Sequence, residues 1–297
     1  MIQNRTRVAP LIRSKWLPPR VAQRLGFAML TLAAVLTVTP IAMVVIFIMY
    51  KGLPAISWEF LTSVPREGMR AGGIMPAIVG TFYLTLGTAL FSIPPGVAAA
   101  IYIAEYARPG RLTRLIRIAI VNLAGIPSVV YGLFGFALFV IFLRFGTSIL
   151  AASLTLSIMT LPVIISTAEE ALRSVPQALR VVSISLGATQ WETVRHVVLP
   201  QALPGILTGV ILGLERAAGE TAPILFTGAA FFLPRLPNSP LDATMALPYH
   251  LFVISTQVPG MPVQIQYGTV LVLLAFVLGM NLIATIIRSR ARARRQW

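Results

Sequence analysis

Leu214-Glu215-Arg216-Ala217-Ala218-Gly219-Glu220-Thr221-Ala222-Pro223 places three ionisable side chains inside an apolar run over residues 204–232. A bilayer-crossing helix needs about 20 such residues, so the run predicts one span. A charge at that depth costs several kcal/mol and survives only where it faces protein or a wet cavity. Arg216 and Glu220 are four apart, hence on one helical face and within pairing reach. Gly209, Gly213 and Thr227 continue that face as a stripe of small or polar groups, which packs on another helix or lines a pathway. The residues alone leave two readings open, a pathway pair and a buried structural strut.

Outward from this stretch the composition is that of a membrane protein. Of 297 residues, 57% are hydrophobic and 11% charged, and mean hydropathy is +0.83. The absence of cysteine excludes disulfides, thiol nucleophiles and zinc–thiolate sites. A net charge of +15 would suggest nucleic acid as the partner of a soluble protein, but its distribution argues otherwise. Apolar runs at 25–50, 74–104, 118–143, 148–167, 204–232 and 267–287 predict an all-α integral membrane protein with six transmembrane helices. The first run is too long for the apolar core of a signal peptide. With the N-terminus inside, the inner segments hold 6, 4, 3 and 5 Lys/Arg, eighteen in all, against five outside. This asymmetry predicts a multi-pass protein of the plasma membrane with both termini cytoplasmic. It also assigns the charge to topology, leaving lipid and not nucleic acid as the surrounding partner.

The expected organisation is a basic tail over 1–24, a six-span domain over 25–287 and a second basic tail over 288–297. Two interruptions stand out within the spans. Pro94-Pro95-Gly96 should kink or break the second span, and Gly125-Ile126-Pro127-Ser128 frees backbone groups at membrane depth in the third. The stretch 51–73, with Trp58 and Glu59, is expected to be an interfacial loop.

The most patterned polar segment is 169–203. Ser174-Val175-Pro176 suits a helix start and Gly187 a helix stop. Thr189-Gln190-Trp191-Glu192 is a capping box, with Thr189 as N-cap and Glu192 reaching back. The second helix should end at Leu199-Pro200. Trp191, Val194 and Val198 would then form an exposed apolar ridge that fits a partner's groove or lies on the membrane interface.

Gly187-Ala188-Thr189 followed by Val197-Val198-Leu199-Pro200 resembles the loop signature of ABC-importer permeases. That signature is a Glu-Ala-Ala triplet, a glycine six residues after its Glu, and a closing Leu-Pro. Here Val181-Val182-Ser183 replaces the triplet, preceded by the basic Arg180. In that family the loop docks on the ATP-binding subunit, so the resemblance implies coupling contacts at Arg180, Gly187, Ala188, Thr189, Trp191, Glu192, Leu199 and Pro200. Ala217 to Thr227 looks like the fifth-span motif of phosphate-importer permeases of the PstA type. Gly125 to Gly135 is similar to a third-span motif shared by both phosphate permease paralogues. The resemblance covers roughly residues 25–287. It implies the type I ABC importer permease fold with short coupling helices between spans four and five. It also implies phosphate as substrate and, as partners, a homologous PstC-like permease subunit, an ATP-binding subunit dimer and an extracytoplasmic phosphate-binding protein.

The chemistry is compatible with that implication. An arginine fork suits a tetrahedral oxyanion better than a point-charge amine does. Glu220 could hold Arg216 when the pathway is empty, and Glu215, about 100° round the helix, could meet another subunit. Thr227, Ser128 and Tyr131 are candidate hydroxyl contacts, although such groups in apolar helices often bond their own backbone. No P-loop is present, since Lys15 and Lys51 are the only lysines and neither stands in one. The chain is therefore expected to be no enzyme by itself and to hold no cofactor, with ATP and Mg bound by a partner ATPase. Two rivals remain at this stage: a permease for another oxyanion, and a stand-alone secondary transporter or channel, which would leave the capped 169–203 segment without a purpose.

Overall fold

The computed structural model describes residues 18–293. Residues 1–17 and 294–297, with most of the basic N-terminal tail and the end of the C-terminal one, lie outside the described residues. The described residues fall into two compact units, one up to Ile48 and one from Met49 onward. The first is built on α1 (Pro19–Gly52), a continuous apolar helix that runs through Pro40. It begins before the expected 25–50 run and takes up Arg20 and Arg24.

In the second unit, α2 (Trp58–Thr62) is N-capped by the Ser57 hydroxyl, which accepts from the Phe60 N–H at 3.1 Å. A two-residue hairpin, Pro65–Arg66 paired with Ala71–Gly72, follows it. The stretch 51–73 is thus folded, not an open loop.

α3 (Met75–Ile101) packs along α6 (Ile149–Arg173). Between them Gly87 meets Ser153, Gly96 meets Ile164, and the Ser157 hydroxyl donates to Thr88 O at 3.1 Å. Pro94 and Pro95 do not break α3, which runs on to Ile101 and closes in a π turn at Tyr102–Tyr106. A proline requires the loss of one backbone hydrogen bond and room for its ring, and a packed partner helix can hold the chain in place through both.

The third expected span is two helices. α4 (Arg111–Ala124) and α5 (Ser128–Gly135), extended by a π turn to Phe142, meet at a bend of 102°. Pro127 forces the turn because the residue before a proline is driven out of the helical region and the proline itself lacks an N–H.

α6 is followed by α7 (Gln177–Ser185) and α8 (Gln190–Thr193). α8 passes through a π turn at Val194–Val198 directly into α9 (Leu199–Gly219). Leu199-Pro200 therefore does not stop the second helix. Pro200 falls in the first turn after the register change, where a missing N–H is tolerated.

α9 is followed by α10 (Ala222–Thr227), α11 (Leu247–Thr256) and α12 (Val263–Ala293). α12 carries helix into the expected C-terminal tail, and Arg288 reaches back to Thr208 of α9 at 3.3 Å. Among the described residues, five helices are long and apolar enough to cross a membrane, and the bent pair, taken as one span, makes a sixth.

The core has two centres. One gathers Leu84, Tyr131, Leu156, Met159, Ile224, Leu247 and Ile254. The other, toward the 169–203 segment, gathers Ala100, Ile164, Leu172, Val198 and Ile206. α11, which no periodicity announced, belongs to the first. Its Leu247 N–H donates to the Thr81 hydroxyl at 2.8 Å, and Gly80 lets the chain at Thr244 and Met245 approach α3 closely.

Candidate functional site

The run 204–232 is not one helix. α9 stops at Gly219, Glu220 is extended (φ −76°, ψ 136°), and helix resumes for only six residues with Pro223 in its first turn. Pro223, which lacks an N–H and whose ring excludes the helical carbonyl four residues earlier, accounts for the break.

Arg216 and Glu220 still meet across the helix end. Arg216 Nε lies 3.4 Å from Glu220 Oε1, with 37% and 18% of the two side chains exposed. A charge-assisted N–H···O bond closes to about 2.8 Å, so this pair is loosely drawn. Glu215 points elsewhere, and its buried Oε1 finds no hydrogen-bond partner among the described residues.

The break in the fifth span lies against the bent third one. A Cβ on Gly132 of α5 would come within 2.9 Å of both Pro223 Cα and Phe226 Cδ2. The two motifs read separately in the sequence therefore form one locus. Tyr131 is buried there, within electrostatic reach of Arg216. Its hydroxyl donates to Leu123 O at 2.7 Å, across the bend, so Tyr131 clamps α5 to α4 and its donor is already used. Ser128, half-buried, is the first residue of α5. A small cavity beside Glu220 is lined by Thr81, Thr85, Ala246 and Pro248.

The expected stripe does not stay together. Gly209 abuts Thr167 and Gly213 abuts Ile164, so both serve the close approach of α9 to α6. Thr227 is fully buried and donates to its own Pro223 O at 2.9 Å, while its carbonyl accepts from Ser148 N–H at 2.9 Å. Only Arg216 and Glu220 of that set face partly outward.

In the 169–203 segment Gly187 adopts φ +91°, a conformation costly for any residue with a Cβ. The capping box is complete. Thr189 Oγ1 accepts from the Glu192 N–H at 3.3 Å and Glu192 Oε2 accepts from the Thr189 N–H at 2.8 Å. The apolar ridge differs from expectation, because Val194 and Val198 are fully buried against the core. A helix that continues into a span turns those positions inward. Trp191 is 57% exposed, and the other exposed large apolar side chains of the segment are Val181, Val182, Ile184 and Leu186. Gly187 and Thr189 are exposed, and Ala188, Leu199 and Pro200 are half-buried.

Arg180 points inward to Glu105, a residue 75 positions earlier that sequence spacing had no means to pair with it. Glu169 likewise gathers Arg117 at 2.8 Å and Arg173 at 2.9 Å.

The family model described as "Binding-protein-dependent transport system inner membrane component" matches residues 96–295. The chain is 34% identical to the probable ABC transporter permease protein YqgI of Bacillus subtilis, over 80% of this chain and 85% of that protein. It is 31% identical to the phosphate transport system permease protein PstA 2 of Mycobacterium bovis, over 97% and 94% of the two. In architecture it is similar to a bacterial ABC transporter involved in import of the acidic polysaccharide alginate. There the TM-score is 0.66 at 16% identity, over 91% of this chain and 96% of the other. The matched region takes in the bent third span, the 169–203 segment and the broken fifth span, and the chain belongs to the family of binding-protein-dependent transport system inner membrane components, the permease subunits of ABC importers.

Proposed function

We propose that this chain is the permease subunit of an ATP-driven inorganic phosphate importer, with its share of the translocation pathway where α9 and α10 break against α5. The carrying observation is the Arg216–Glu220 pair, 3.4 Å apart and partly exposed at that break. Discontinuous helices at membrane depth are a recurring way to present ion and substrate sites. Arg216 offers a planar fork to a tetrahedral oxyanion, and Glu220 occupies it when no anion is present. A carboxylate there also accepts a hydrogen bond from a protonated phosphate, which fully ionised sulfate does not offer. The phosphate assignment is further supported by relatives named as phosphate transport permeases. Ser128 and Glu215 belong to the same proposed pathway, Glu215 through its unpartnered oxygen. Tyr131 and Thr227 act behind it, holding the bend and the short α10 in place.

Both termini and the 169–203 segment are assigned to the cytoplasm on the eighteen-to-five charge asymmetry. On that side α7 and α8 dock a separate ATPase pair, which binds ATP and Mg. A homologous permease subunit completes the pathway, and an extracytoplasmic phosphate-binding protein delivers the substrate.

The test is phosphate uptake in a strain lacking other phosphate importers, with assembly monitored alongside. Arg216→Gln should abolish uptake, and Arg216→Lys should restore little of it because the fork is lost. The double variant Arg216→Gln with Glu220→Gln removes the stranded charge that burdens each single one. It should insert and assemble, yet carry no phosphate. Near-normal uptake by that assembled double variant would leave the pair a structural strut.

A further inference from the structure

Glu105 lies in the π turn that closes α3, outside the 169–203 segment and the broken spans. Its carboxylate and the Arg180 guanidinium are nearly buried, at 8% and 12% side-chain exposure. Arg180 Nη2 donates to Glu105 Oε1 at 2.7 Å and its Nε to Oε2 at 3.1 Å, a two-pronged pairing. The same guanidinium donates to Leu172 O at 2.8 Å and Val175 O at 2.7 Å, at the end of α6. On the other side, the Glu105 carbonyl accepts from Gln190 Nε2 at 2.6 Å, the first residue of α8. The Glu105, Arg180 and Gln190 side chains thus tie the ends of α3 and α6 to both α7 and α8.

The covalent chain alone does not make that connection. α7 and α8 are joined through the backbone to α6 and α9, whereas α3 precedes them by some 70 residues and meets them at this clasp. α7 carries no acidic residue, so the carboxylate that satisfies Arg180 has to come from elsewhere in the fold. A buried arginine held by four donor contacts has a fixed geometry, and a displacement of α7 is passed to α3 through it.

We infer that Glu105 is a positioning residue for transport: through Arg180 it makes α3 move with the α7–α8 surface, so that ATPase motion reaches the spanning core. This rests on the proposed docking role of α7 and α8. A staple that only holds the fold together would lower hydrolysis and transport alike. A transmitting link, when cut, lets hydrolysis proceed while transport falls behind.

The experiment reconstitutes the whole importer, both permease subunits, ATPase and binding protein, in proteoliposomes. It measures phosphate imported per ATP hydrolysed. Glu105→Gln keeps the size and the carbonyl contact to Gln190 but loses the charge. It should retain ATP hydrolysis and import roughly fivefold or more less phosphate per ATP, the low end of a typical coupling effect. Glu105→Asp, which keeps the charge on a shorter stem, should recover part of the ratio. An unchanged ratio in assembled Glu105→Gln overturns the inference. If that variant does not assemble, Arg180→Lys decides, since it keeps the charge but loses the two-pronged pairing: a reduced ratio supports the clasp and a normal one overturns it. Trp191→Ala separates this from the docking role. Undiminished ATPase recovery with Trp191→Ala would count against docking, whereas lost recovery beside an unchanged Glu105→Gln ratio would count against the clasp alone.

Discussion

Gly132 of α5 sits on Pro223 of α10 so closely that a Cβ at Gly132 would lie 2.9 Å from the Pro223 Cα. One interrupted span thereby supports the other. α10 has only six residues and Thr227 is bonded within it, so it relies on α5 and the core for its position. The placement of Glu220, two residues before α10 begins, follows from that contact.

Gly132→Ala should therefore push α10 away from α5 and displace Glu220 from Arg216. Overpacking of this kind costs about 1–3 kcal/mol. Gly219→Ala is the control, because a Cβ there meets nothing within 4 Å. Thermal unfolding of the purified subunit should fall for Gly132→Ala and stay at the parent value for Gly219→Ala. Equal midpoints for the two would refute the contact as the support of α10.

The docking surface is expected to consist of Trp191 with Val181, Val182, Ile184 and Leu186, not of Val194 and Val198. Trp191→Ala should weaken ATPase docking by on the order of 2 kcal/mol, and Val182→Asp or Leu186→Asp should do the same without disturbing insertion. Val198→Asp should instead lower the yield of folded subunit, since it places a charge in the core. Co-purification of the ATPase checks the first set and expression level the second. Full ATPase recovery and full transport with Trp191→Ala would show that the surface is elsewhere.

His250 lies in α11, which is not one of the span-length helices. Burial pushes its pKa down to about 4 from an ordinary 6.5, and its Nδ1 has no partner among the described residues. The folded state holds it neutral while the unfolded state takes up a proton below about pH 6.5. Stability is thus full above that pH, falls as pH drops toward 4, and levels off below, where both states are protonated. The loss from this one group reaches about 3 kcal/mol. His250→Leu should flatten that part of the acid dependence without lowering stability at pH 7.5. Thermal midpoints at pH 7.5 and pH 5 compare the two proteins, and an identical acid slope would exclude His250 as its source.

Sequence by itself determined the features governed by neighbours in the chain. Apolar run length set the number of spans, with α1, α3, α6, α9 and α12 falling on five of the six runs. The Thr189–Glu192 capping box and the positive φ at Gly187 were legible because their causes lie within four residues. Arg216 and Glu220 were legible as a pair for the same reason. Tertiary structure alone decided which prolines break a helix: Pro127 and Pro223 do, Pro94, Pro95 and Pro200 do not. The outcome depends on whether packing can hold the chain where a hydrogen bond is missing, and a packing partner is not written in local spacing. It likewise turned Val194 and Val198 inward, drew α11 into the core against Thr81, and joined Arg180 to Glu105. Those contacts join residues far apart in sequence, and they form only once the helices have packed and buried polar groups must find partners across the fold.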